Sequence, residues 1–321
     1  MSEARYLWPD DYMADPSAHV FNGKITIYPS HDRESGIPER DNGDHFDMKD
    51  YHAFTIDGDP MTGKVTDHGV VLDIADVPWA GRQLWDNDVA EIGGRYHLYF
   101  CAKDRSDVFR IGVATSDSPT GPFKPEPEPI PGSYSIDPCA FKDDDGSVYL
   151  VFGGLWGGQL QRYRDNKAVH SAEEDTLPVD GRAALEPQPD EAALCPKIAR
   201  LTADGFAFAE APRDLVIVDG DGVPLRAGDH SRRFFEASWL HKEGDTYVFT
   251  YSTGDTHLLC RATSKSLYGP YTFQGEILGP QVGWTTHHSI AFWNGRRYLF
   301  HHDSAPSGGR TWLRSMKVKE L

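Results

Sequence analysis

SIDPCAFKDDDGSVYLVF (135–152) is the stretch that decides the fold. An acid, Asp137, precedes a short apolar run; a polar turn holding Gly146 follows, then a strand rich in β-branched and aromatic residues. This is the pattern of a β-hairpin. It returns four more times, with cores at 19–28, 90–100, 238–251 and 289–300 and with turn glycines Gly23, Gly94, Gly244 and Gly295. One polar residue stands ahead of each turn: Asp15, Asp88, Asp137, Glu236 and His287. Four of these lie 8 or 9 residues before their glycine, and Asp88 lies 6 before Gly94. Five copies of one unit, each with a polar residue in one place, predict five equivalent blades aiming those residues at one axis.

Outside the hairpin cores a second repeat appears. ATSDSPTGPF (114–123) and ATSKSLYGPY (262–271) share Ala-Thr-Ser and Gly-Pro-aromatic, and each follows a core, as an outer hairpin would. YHAFTIDGDP (51–60), IARLTADGFAF (198–208) and WLRSMKV (312–318) fill that role elsewhere. The expectation is an all-β chain: a five-bladed β-propeller of four-stranded antiparallel blades, in one domain over residues 1–321. A β-sandwich shares the short strands and Gly/Pro turns. It gives no reason for a polar residue before every hairpin. Uneven spacing of the turn glycines implies insertions at about 30–50 and 155–235, long loops of the kind that shape a binding rim. Helical periodicity is weak; SAEEDTL (171–177) reads as a surface turn or short helix.

A net charge of −17 repels phosphate backbones and anionic membranes, which excludes partners better than it identifies one. No apolar stretch is long enough to cross a bilayer. The start, MSEARYLWPDD, has neither a basic n-region nor an apolar h-region, so the expected address is cytoplasmic. The 4 cysteines (Cys101, Cys139, Cys195, Cys260) have no CxxC spacing and signal neither zinc nor a redox dithiol. Aromatic residues reach 12%, mostly for strand packing, although flat rings also suit sugar clefts. Self-association as a homo-oligomer is left open.

In a propeller, a residue at the start of an innermost strand faces the mouth of the central tunnel. Asp15, Asp137 and Glu236 would converge there. Three carboxylates in one cleft suit glycoside hydrolysis: a base for water, an acid for the leaving oxygen, and a third group that tunes the pair. Taken singly each is ordinary, since Asp-Pro starts many turns; the recurrence is what carries weight.

These residues resemble glycoside hydrolase family 43, whose members are five-bladed propellers acting on xylose- and arabinose-containing glycans. MADP (13–16) resembles the family's first acidic motif, SIDPCAFKDDDGSVYL (135–150) its second and FFEASWLHKEGDTYVFTYS (234–252) its third. The resemblance implies Asp15 as general base, Asp137 as pKa modulator and orienter, and Glu236 as general acid. Many members have Gly-Pro after that Glu, where this chain has Ala237-Ser238. It also implies inversion, with the base and acid carboxyls about 6.5–9.5 Å apart. WTTHHSIAFWNGRRYLFHHD (284–303) resembles the fifth blade, where a His, here His287, lies beside a divalent cation, usually calcium. One imidazole is a poor calcium ligand by itself, so the ion would be mostly hydrated. His288 should point to the opposite face.

Residues 85–123 resemble the second blade of short, metal-stimulated β-xylosidases, many of which also cleave arabinofuranosides. The implied reaction is exo-release of xylose from short β-1,4-xylo-oligosaccharides. Asp88 matches an axis-facing acid with a supporting or substrate-contacting role. Trp85, Trp156 and Phe235 are candidates for stacking on the sugar, with core packing as the simpler reading, and His31 could face the cleft. Arg310 or Arg314 could pair with the carboxylates or a sugar hydroxyl, against the simpler reading of an exposed arginine. Three other readings stand beside this one. The first is an α-L-arabinofuranosidase of the same fold. The second is a fructan enzyme or phosphorylase, which the missing Asn before Asp15 and the lack of a basic clamp disfavour. The third is a non-hydrolytic sugar-binding propeller.

Overall fold

The computed structural model describes residues 3–170, 185–284 and 287–321. Its five blades follow the five hairpins. Blade one is Met13–Phe21, Lys24–His31, Asp50–Asp57 and Lys64–Asp73; blade two is Ala80–Ile92, Arg95–Asp104, Phe109–Ser116 and Lys124–Pro125. Blade three is Cys139–Lys142, Val148–Phe152, Lys197–Arg200 and Arg213–Asp214. Blade four is Glu236–Glu243, Thr246–Ser252, Leu259–Ser264 and Tyr271–Leu278. Blade five contains His288–Trp293, Arg296–Asp303 and Ser315–Glu320. Neighbouring strands within these sets pair antiparallel. The innermost strand of blade one packs against those of blades two and five, and the ring continues through blades three and four.

Three details depart from the expected pattern. Blade five takes its outer strand from the other end of the chain: Arg5–Tyr6 pairs with Val318 and Lys317, closing the ring. Blade four gains a fifth strand, Ile217–Val218, which runs parallel to Tyr271–Leu278 and comes from the long insertion. The outer strands of blades two and three are only two residues long. SAEEDTL (171–177) lies outside the described residues. Among the described residues no helix is long and apolar enough to cross a membrane.

The aromatic second strands explain why the blades cohere. Tyr28, Tyr99, Phe100, Phe152, Tyr251, Tyr298 and Phe300 are all fully buried between sheets, and burying such a side chain contributes about 1.5–3 kcal/mol. Alternation sends neighbours such as Tyr99 and Phe100 to opposite faces of a blade, and each face packs in its own core cluster. The polar residues at the starts of the inner strands face the axial cleft.

Candidate active site

An open cleft lies at the axis, the concave setting usual for small-ligand sites. Asp15, Asp137, Glu236 and His287 all line it, so the structure brings the four together from blades one, three, four and five. The backbone bends to aim them. Pairing slips between Ala14 and Ser17, so Asp15 sits on a bulge, and slips again just after Glu236. Bulges of this kind re-aim a side chain. Asp15, Asp137 and Ala237 adopt left-handed backbone with φ of 49°, 56° and 63°, an uncommon conformation for residues with a Cβ that clusters at functional sites.

Blade two contributes Asp86 and not Asp88. The slip between Leu84 and Asn87 delivers Asp86 to the cleft. Asp88 is buried in a structural role: it accepts from the Ser17 hydroxyl and from the Val89 and Ala140 amides, and lies 2.5 Å from His19 Nε2. The signal for Asp86 was present in the spacing. Asp86 precedes Gly94 by 8 residues, the interval shared by Asp15, Glu236 and His287.

Two basic side chains face these four acids. Arg314 is buried; its NH1 donates to Asp15 Oδ1 at 2.8 Å, while Nε and NH2 hold Asp32 at 2.8 and 2.7 Å. The exposed-arginine reading therefore fails for Arg314. It holds for Arg310, which is exposed, reaches Glu34 and does not line the cleft. His287 Nδ1 lies 2.7 Å from Asp86 Oδ1 and 3.9 Å from Asp137 Oδ2. His288 turns away and meets Thr250 Oγ1 at 2.6 Å, as alternation requires. Asp137 Oδ2 accepts from the Ala237 amide at 2.6 Å, tying it to the strand that begins at Glu236.

Burial governs the protonation of the cluster. It pushes Glu236 up to about 7, helped by the Asp86 charge and opposed by His287 and Arg314. Burial likewise raises Asp15 to about 8 against the pull of Arg314. Asp137 is raised well above the carboxylate range by burial, then by Asp86 and Glu236. Asp86 goes the other way: burial opposes its charge, but His287, a hydrogen bond with Asp137 and the Arg314 charge together overcome burial and hold it ionised. Burial also opposes charge on His287, and Asp86, Asp15 and Glu236 together reverse that.

The walls are aromatic. Trp85, Trp156 and Phe235 border the cleft, joined by Phe46, His45 and Trp284; Trp85 and Phe235 are also buried in the core, in line with the simpler core-packing reading. Trp156 stacks on Trp284 with ring centroids 5.6 Å apart. Trp85 is pinned by its Nε1–H donating to the Phe46 carbonyl at 2.7 Å. The loop between the second and third strands of blade one supplies Glu39, Arg40, Asp41, Gly43, His45, Phe46 and Met48, confirming the first insertion as rim. His31 is a correction: it lies outside the cleft, 2.8 Å from Asp50 and 3.2 Å from Asp11.

Comparison with known proteins agrees with this geometry. Residues 64–213 match the model of glycosyl hydrolases family 43. A xylosidase/arabinosidase of Bacteroides ovatus is 60% identical over 320 residues, covering 100% of this chain and 94% of that protein. A β-xylosidase of Xylanibacter ruminicola is 56% identical over 319 residues, covering 99% and 96%. Among solved structures, RS223-β-xylosidase aligns with a TM-score of 0.94 at 62% identity, covering 100% of this chain and 95% of that one. A β-xylosidase/α-arabinofuranosidase from a compost microbial metagenome, in complex with xylotriose and in calcium-free form, aligns with a TM-score of 0.94 at 55% identity, covering 100% and 94%.

Proposed function

This chain belongs to glycosyl hydrolase family 43, and on that premise we propose that it releases xylose from the non-reducing end of short β-1,4-xylo-oligosaccharides, with α-L-arabinofuranosides as a second substrate, inverting the anomeric carbon. The observation that carries the reading is the convergence of Asp15, Asp137 and Glu236 in one aromatic-walled cleft. The names of the relatives support the substrate class: xylosidase/arabinosidase and β-xylosidase.

The roles follow from chemistry. Glu236, with its proton retained to about 7, donates that proton to the glycosidic oxygen as the bond to the anomeric carbon breaks. Asp15 takes a proton from the water whose oxygen attacks that carbon from the other face. Asp137 holds the Ala237 amide and so the start of the Glu236 strand. Trp156 and Trp284, both partly exposed, offer apolar surface to the sugar ring.

Asp15 works as a base only when ionised, and burial works against this. Positive charge counters burial: Arg314 supplies it, His287 adds to it, and a divalent cation, which we take to be calcium, would supply more. The oxygens of Asp15 and Asp86 and a nitrogen of His287 lie within 4.8 Å of one another, and Asp15 Oδ2 is buried with no hydrogen-bond partner among the described residues. That set fits a partly hydrated ion, since calcium takes about 6–8 mostly oxygen ligands. Bound there, the ion would supply positive charge beside Asp15.

The test is a paired assay on xylobiose, aryl β-xyloside and aryl α-arabinofuranoside, with and without chelator. Asp15→Ala and Glu236→Ala should each lower kcat by about 100–10,000-fold. Xylobiose hydrolysis that persists in both variants would overturn the assignment. Proton NMR of the first-formed product should show α-xylose from a β-xyloside, as inversion requires.

A further inference from the structure

On blade one, away from the cleft, three metal-ligating side chains converge. His31 ends the second strand, and Asp50 and His52 begin the third. His31 Nδ1 lies 2.8 Å and His52 Nε2 3.6 Å from Asp50 Oδ1, and the three groups can present ligand atoms within 4.8 Å of one another. A tetrahedral ion with bonds of about 2.0–2.1 Å separates its ligand atoms by about 3.3 Å, between those two distances.

The outer sides of both rings are also engaged. His31 Nε2 meets Asp11 Oδ2 at 3.2 Å, and His52 Nδ1 meets both Asp67 oxygens at 3.0 Å. Each imidazole thus stands between two carboxylates. A protonated ring meets both with N–H groups, and the Asp50 hydrogen bond favours that form of His31; a neutral ring turns a lone pair toward one of them. A cation among the inward atoms meets the lone pair of the neutral ring. Each outer carboxylate then takes the N–H and fixes the tautomer, the arrangement that commonly supports metal-bound histidines. All three inward residues are half-buried, so an ion can reach them from solvent.

We propose that His31, Asp50 and His52 bind one divalent transition-metal ion of the zinc class, with Asp11 and Asp67 orienting the two imidazoles. Two nitrogens and a carboxylate suit zinc, nickel or cobalt better than calcium or magnesium, which prefer all-oxygen shells. The ion clamps the second strand of blade one to the third. It sits one residue from Asp32, the carboxylate that holds Arg314 in the cleft.

Chelator-stripped enzyme would be titrated with zinc by calorimetry in excess calcium, which on the proposed function would fill the axial group. The wild type should take up one zinc equivalent that His31→Gln and His52→Gln lose, and zinc should raise Tm in the wild type alone. Asp67→Asn should keep the stoichiometry and weaken binding about 10–100-fold. His52→Gln, outside the cleft, should hydrolyse aryl xyloside at the wild-type rate without zinc, which separates loss of the site from loss of the fold. If His52→Gln does not fold, Asp67→Asn carries the test. Equal zinc uptake and affinity in the wild type and every folded variant, or no uptake by the wild type, would overturn the proposal.

Discussion

Single residues in the cleft matter through the charges around them. Asp86 is ionised, and its negative charge holds the pKa of Glu236 and of Asp15 up. With the axial cation stripped away, replacing it with Asn removes that charge, so both values fall. In chelator-treated Asp86→Asn the limb of the kcat/KM–pH profile at which Glu236 loses its proton should lie at lower pH than in chelator-treated wild type; an unmoved limb would refute the coupling. Arg314 acts with the opposite sign. In Arg314→Leu the Asp15 carboxyl rises further, so the acid limb should shift to higher pH. Leaving Asp15 and Asp32 buried without their counter-ion should also cost about 3–5 kcal/mol, read from urea unfolding. At position 237 the backbone has φ of 63°, which accounts for the glycine that resembling sequences carry there. Here an alanine bears the left-handed conformation and still delivers its amide to Asp137.

At the scale of elements, the hairpins were legible because their period is local. A strand of alternating aromatics and a glycine turn are short-range facts, and all five cores became the inner pairs of blades. Bulges were not legible. Each depends on how a strand fits its neighbour, and the slip before Asn87 decides that Asp86 reaches the axis while Asp88 is tied into the frame. The loops obey closer packing rules. A Cβ on Gly157 would stand 2.7 Å from the Asn42 carbonyl, where the blade-three loop touches the blade-one rim. Gly157→Ala should therefore displace the rim, raising KM for xylobiose several-fold and lowering stability by about 1–3 kcal/mol. Unchanged KM and unchanged urea midpoint would show that this contact yields freely.

For the whole molecule, closure joins the two ends of the chain. Arg5–Tyr6 pairs with the last strand, Leu7 is buried and its amide donates to Met316, and Arg5 reaches the Pro60 and Gly63 carbonyls of blade one. The same seam carries the Arg314–Asp15 ion pair. Deleting residues 1–8 should lower Tm by at least about 5 °C and reduce activity in parallel, as calorimetry and aryl xyloside assays would show. Full activity at an unchanged Tm would mean the seam holds without that strand. The sequence by itself determined the five-bladed fold, the place of Asp15, Asp137, Glu236 and His287 at the axis, and the rim role of the first insertion. These rest on strand alternation and turn glycines, which act over a few residues. Only the tertiary structure decided that Arg314 joins the cluster, that His31 and Arg310 do not, that Trp284 completes the wall, and that Asp86, marked by its spacing, takes the axial place in preference to Asp88. Those outcomes depend on bulges, ring closure and burial, which arise when segments hundreds of residues apart are pressed together.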